Sequence, residues 1–246
     1  MEVTKMLGKR KIATVVAEFL GTGFLTLLVL SVQRSTIGVP FFVALIAGLT
    51  AIAMIFTFGD LSGAYLNPAI AIGLWTARRL STLKTIVLVA AELLGAWVAY
   101  YVYTYFVNSK LTNIGGHFSG RTLAAEAVAT GILGLVWAAA SFRKWPRSIT
   151  APAVGLGVVI AMIAASTAGI GLANPALALG VRAWVWGTYI LGPVIGAVVG
   201  VNLYGILFTD GNKFDFASLV AMPKTVGTKS SVVSAPAKKA KRSTKK

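Results

Sequence analysis

Six apolar runs, at 12–33, 39–59, 85–107, 122–140, 149–170 and 185–208, dominate the chain and limit what it can become. Each is close to the ~20 residues that a helix needs to cross ~30 Å of hydrocarbon. Inside lipid no water can satisfy backbone N–H and C=O groups, so a spanning segment must bond to itself as a helix or join a closed barrel. Runs of this length predict helices. With 12% of residues charged against ~25% in soluble domains, and 57% apolar, the chain reads as an all-α membrane protein with six transmembrane helices. The first run is expected to remain as a span. It is too long for a signal peptide, contains Glu18 and lacks a small-x-small cleavage pattern before a polar sequence.

The net charge of +16 raises the question of nucleic acid, and the positions of the charges answer it. Lys and Arg fall between the runs and at the ends, not along one face. Nineteen lie on one set of connecting segments: Lys5, Lys9, Arg10, Lys11, then Arg78, Arg79, Lys84, then Arg143, Lys144, Arg147, then the tail. The opposite set has only Arg34, Lys110, Arg121 and Arg182. By the positive-inside rule both termini are cytoplasmic, in a multi-pass protein of the plasma or inner membrane. No nucleic-acid partner is expected. The chain has no cysteine, and its one histidine, His117, lies in a loop without companions, so neither a metal site nor a cofactor is expected. No Ser/His/acid set and no phosphate loop is present, which argues against an enzyme.

The chain repeats itself. "VVAEFLGTGFL" opens the first run and "LAAEAVATGIL" the fourth, and an Asn-Pro-Ala follows each, 49 residues after Glu18 and 48 after Glu126. The repeats, about 12–107 and 119–208, hold three spans each. Three is odd, so the second copy is inverted across the membrane. Asn is a strong helix cap and Pro suits the first helical position. Asn67, Pro68, Ala69 and Asn174, Pro175, Ala176 therefore predict helix starts. Eleven residues from each Asn, to Ala77 and Trp184, give ~16 Å of helix, about half the hydrocarbon thickness. Two such half-helices entering from opposite faces would meet N-terminus to N-terminus at the midplane. The glycine-bearing loops before them need a wet cavity or close burial.

The paired motifs, "SGAYLNPAIAIGLW" in particular, the Ala-Glu pairs at Glu18 and Glu126, and "GPVIGAVVG" in the last run resemble the aquaporin, or major intrinsic protein, family over roughly residues 10–208. The resemblance implies six transmembrane helices plus two re-entrant half-helices. It also implies a homotetramer with one pore per subunit, in which Asn67 and Asn174 donate to the permeating molecule. Glu18 and Glu126 become structural acids that hold the loops; a proton relay is the rival reading. Glu92 stands where the family usually has an amide, and Asp60 where it commonly has a histidine.

The resemblance places the family's narrow ring on Ala47, Met162, Gly171 and Leu177 by gap-free spacing. Water-selective relatives have an aromatic, a His, a small residue and an Arg there. Arg182 cannot stand in for Leu177, because five residues along a helix rotate it by ~140° and displace it by ~7.5 Å. The expectation is a wider, more apolar filter in a passive channel for water or small uncharged solutes (glycerol-, urea- or peroxide-like). The alternatives are a coupled transporter using the intramembrane acids and a non-conducting membrane protein sealed by Met162 and Leu177. Residues 1–11 read as a cytoplasmic N-terminus, 12–208 as the channel domain and 209–246 as a disordered basic tail. Six of the last nine residues in that tail are Lys or Arg, suited to resting on anionic lipid headgroups.

Overall fold

The computed structural model describes residues 2–209, so the expectation of a disordered tail lies, from residue 210 on, outside the described residues. Within them the helices are α1 (Glu2–Gln33), α2 (Pro40–Phe58), α3 (Pro68–Thr76), α4 (Thr82–Val107), α5 (Gly120–Phe142), α6 (Arg147–Ala165), α7 (Pro175–Gly180) and α8 (Gly192–Phe208). A π turn, Gly187–Leu191, leads into α8. Six stretches are long and apolar enough to span: Arg10–Gln33, Pro40–Phe58, Thr82–Val107, Gly120–Phe142, Arg147–Ala165 and Gly187–Phe208. The protein is multi-pass and all-helical. The run expected to reach 170 stops at Ala165, where Ser166 caps α6 and the chain turns toward Gly169 and Gly171.

The helix starts follow local rules. Ser81 accepts from Lys84 N–H at the start of α4, and Ser119 from Thr122 N–H at the start of α5. Asn67 and Asn174 cap α3 and α7 in the same way, each followed by Pro. Where eleven-residue half-helices were expected, α3 has nine residues and α7 six. Both end in one motif, with the N–H of Arg79 on Leu74 O and that of Arg78 on Trp75 O, matched by Ala183 on Ala178 O and Arg182 on Leu179 O. Arg78 and Arg182 take the left-handed backbone this ending requires (φ 59° and 64°). The second ending comes three residues sooner relative to its Asn.

Packing repeats with the sequence. α1 lies on α4, α5 on α8, and α2 crosses α6. A Cβ added to Gly95 would stand 2.2 Å from Phe19 O, and one added to Gly196 would stand 2.0 Å from Ala127 O. Phe19 and Ala127 each follow a repeat's glutamate. At the α2–α6 crossing Gly48 and Gly155 face each other's carbonyls, a Cβ on either meeting the other's oxygen at 2.5 and 2.7 Å. Small residues let backbones approach where lipid supplies no hydrophobic drive. Around the outside, large apolar side chains such as Phe41, Leu83, Val128 and Leu156 are exposed, as a lipid-facing surface requires.

Candidate functional site

The two loops that lead into the half-helices share a pair of left-handed bends. Counting back from Asn67, Leu66 and Ala64 have φ of 55° and 52°; counting back from Asn174, Ala173 and Gly171 have 49° and 75°. For a residue with a Cβ this conformation costs ~1–2 kcal/mol, so something must hold it. The glutamates do. Glu18 accepts from Tyr65 N–H (3.1 Å) and Leu66 N–H (3.0 Å), and Glu126 from Leu172 N–H (2.9 Å) and Ala173 N–H (2.6 Å). Each carboxylate is fully buried, and a charge there persists only with such donors. Glu92, also buried, extends the first set by accepting from Asn67 N–H at 3.1 Å. No N–H reaches its Oε2, and its side chain makes a carboxyl–carboxyl contact with Glu18. The matching place in the second repeat, three residues before the close-approach glycine, is Pro193.

With N–H groups drawn outward, carbonyls of the same loops are left for the interior. Those of Ala64, Tyr65 and Leu172, all beside a central cavity, accept no hydrogen bond from the described residues. The half-helix starts are tied across the centre: Asn67 Nδ2 donates to Ala173 O at 2.9 Å and Asn174 Nδ2 to Leu66 O at 2.8 Å. Each Oδ1 meanwhile caps its own helix, through Ala69 N–H and through Ala176 and Leu177 N–H. An amide nitrogen carries two N–H bonds. One per Asn is used in the cross-tie, which leaves one per Asn where both side chains line the cavity.

The cavity has a volume of about 20 Å³, room for a water or two. Its wall is apolar apart from the loops, the Asn pair and the indole of Trp137, with Leu25, Ile55, Leu133, Val154 and Val158 contributing. None of Glu18, Glu92 and Glu126 lines it.

The sequence model of the family described as "Major intrinsic protein" matches residues 5–204. The chain belongs to the major intrinsic protein family. It is 29% identical to Aquaporin Z of Photorhabdus laumondii, over 82% of this chain and 98% of that protein. To Aquaporin AqpM of Methanothermobacter thermautotrophicus it is 27% identical, over 68% and 77%. Among solved structures it is similar to the aquaglyceroporin from Plasmodium falciparum, with TM-score 0.63, 26% identity, and coverage of 78% of this chain and 95% of that one. Major intrinsic proteins are channels and not enzymes, and the fold here is theirs.

Against the major intrinsic protein pattern, the four ring positions divide. Met162 and Leu177 line the cavity; Ala47 and Gly171 are buried without lining it, Gly171 pressed against Met162 O and Ser166 N of α6. Arg182 is not among the residues that line the cavity. Its Nη1 donates to Tyr100 Oη at 3.1 Å and its guanidinium lies 4.2 Å from the Trp184 ring. Asp60 is not a free acid, since it pairs with Arg147, whose Nη1 also donates to Phe56 O at 2.8 Å, strapping the end of α2 to the start of α6. His117 is exposed. Two lining residues escaped the sequence reading, Tyr65 and Trp137. Tyr65 sits inside the motif itself, two residues before Asn67. Trp137 stands alone in an apolar span, and only the packing of α5 against the loop shows which way it faces.

Proposed function

We propose that the protein is a passive transmembrane channel for water and small uncharged solutes of the glycerol, urea or peroxide type. The observation that carries this reading is the crossed pair Asn67–Ala173 and Asn174–Leu66, which leaves one N–H per Asn and a set of unpaired loop carbonyls on a single narrow cavity. A permeating hydroxyl or water exchanges its hydrogen bonds there for these acceptors and donors. Two helix N-termini face the same point, which raises the energy of a cation or hydronium. Aquaporin Z, AqpM and the aquaglyceroporin are named for the same class of cargo. The outer ring, at the end bearing Met162 and Leu177, is apolar and has no Arg, so it holds water less well than a ring with a cation does. Against a coupled transporter, every intramembrane acid is occupied with loop N–H groups and none reaches the cavity.

The resemblance adds a homotetramer, and the excess of Lys and Arg on one set of connecting segments argues for both termini on the cytoplasmic side. Swelling of proteoliposomes in water, glycerol and urea gradients tests the reading. The expected result is flux of water and of at least one solute. Leu177→Arg should cut solute flux by about tenfold or more, as a missing or added contact in a pocket does. Water passage with both solutes excluded in the wild type removes the small-solute part of the reading.

A further inference from the structure

Resting on the passive-channel reading, we infer that solutes are selected at an aromatic clamp formed by Tyr65 and Trp137, and not at the outer ring. The two rings line the cavity with centroids 5.1 Å apart and planes inclined at 49°. Their level follows from α5 and α6, which run antiparallel with Gly157 against Leu133 and Val136. That register sets Trp137 beside Val154, eight residues before Met162 on α6, so the clamp lies ~12 Å from the outer ring. The Asn pair stands between them, and the clamp faces the end of the bundle that carries Arg79 and Arg147.

The clamp is braced. Tyr65 folds back over Gly63, where a Cβ would stand 2.6 Å from Cζ and 2.7 Å from Cε2. Lys84 Nζ lies 5.7 Å from the Tyr65 ring centroid and is itself fixed by a hydrogen bond to Ser62 O at 3.2 Å. Trp137 is 5% exposed and packs directly on the Tyr65 ring, so the two make one continuous aromatic face of the cavity wall. Two polar atoms on this clamp have no protein partner: neither Tyr65 Oη nor Trp137 Nε1 bonds to a described residue, and neither is sealed off as a buried orphan. An aromatic face with a donor at its edge accepts a C–H surface on one side and a hydroxyl on the other. That matches a short linear polyol better than urea, and it fixes the largest solute that passes. The outer ring, with only Met162 and Leu177 on the cavity, supplies neither the face nor the donors.

Proteoliposome swelling with water, urea, glycerol and a four-carbon polyol tests this on the full chain and three variants. Trp137→Ala should admit the four-carbon polyol about tenfold faster relative to water. Trp137→Phe keeps the wall and loses the N–H, so the size limit should hold while the glycerol-to-water ratio falls about threefold or more. Leu177→Ala should leave the size limit where it was. An unchanged solute profile in Trp137→Ala, with the limit moved by Leu177→Ala, overturns the clamp while the channel reading stands. Absence of any flux in the wild type overturns both.

Discussion

Leu66 and Ala173 hold left-handed backbone that neither side chain favours, and the two glutamates beneath them are the reason it persists. Glu18→Ala would leave the N–H groups of Tyr65 and Leu66 without acceptors. At ~1–3 kcal/mol for each buried orphan, a loss of several kcal/mol in stability and collapse of flux are expected, read by thermal unfolding in detergent and by swelling. Glu92→Gln should act in the opposite sense. The amide oxygen keeps Asn67 N–H, and the amide nitrogen supplies the donor for a contact with Glu18 that two carboxyls make only by sharing a proton. An unfolding midpoint equal to or above the wild type is expected, and a large drop would contradict the account of this cluster. The two aligned Ala-Glu pairs singled out Glu18 and Glu126 in the sequence, while their role as acids that hold the loops was an implication of the family resemblance. Glu92 has no counterpart in the second half, where Pro193 stands, so its attachment to Asn67 became visible only once α4 was packed on the loop.

At the scale of helices, glycine carbonyl contacts set how close the pairs α1–α4 and α5–α8 come. Gly196→Ala drives a methyl to within 2.0 Å of Ala127 O, so α8 must move away from α5. A loss of roughly 1–3 kcal/mol is expected, the usual cost of overpacking. Gly120→Ala, with nothing within 4 Å, should be neutral in the same unfolding assay and serves as its control. The number and rough limits of the spanning helices were legible from hydropathy, since lipid forces each run to satisfy its own backbone. The length of α7 was not. Its end depends on Arg182 adopting a left-handed cap and on Ala183 reaching Ala178 O, and an arginine carries no sequence signal for that conformation. The outer-ring positions show the same limit. Of the four positions, Met162 and Leu177 line the cavity, while Gly171 sits where a Cβ would meet Met162 O, a contact that spacing along the chain does not reveal.

For the whole molecule, the inverted repeat brings two loops, two capped half-helices and two asparagines to one narrow cavity, and holds every intramembrane acid away from it. Among the described residues no acid lines the cavity to couple a gradient to the cargo, so flux should follow the solute gradient alone. The measurement that tests this most directly is the rate of glycerol and water movement into proteoliposomes as concentration and the pH difference across the membrane are varied. Rates linear in the gradient, without saturation, and unmoved by an imposed pH difference are the predicted result. Flux that saturates and rises with the proton gradient, or its absence from folded protein, would contradict the passive channel.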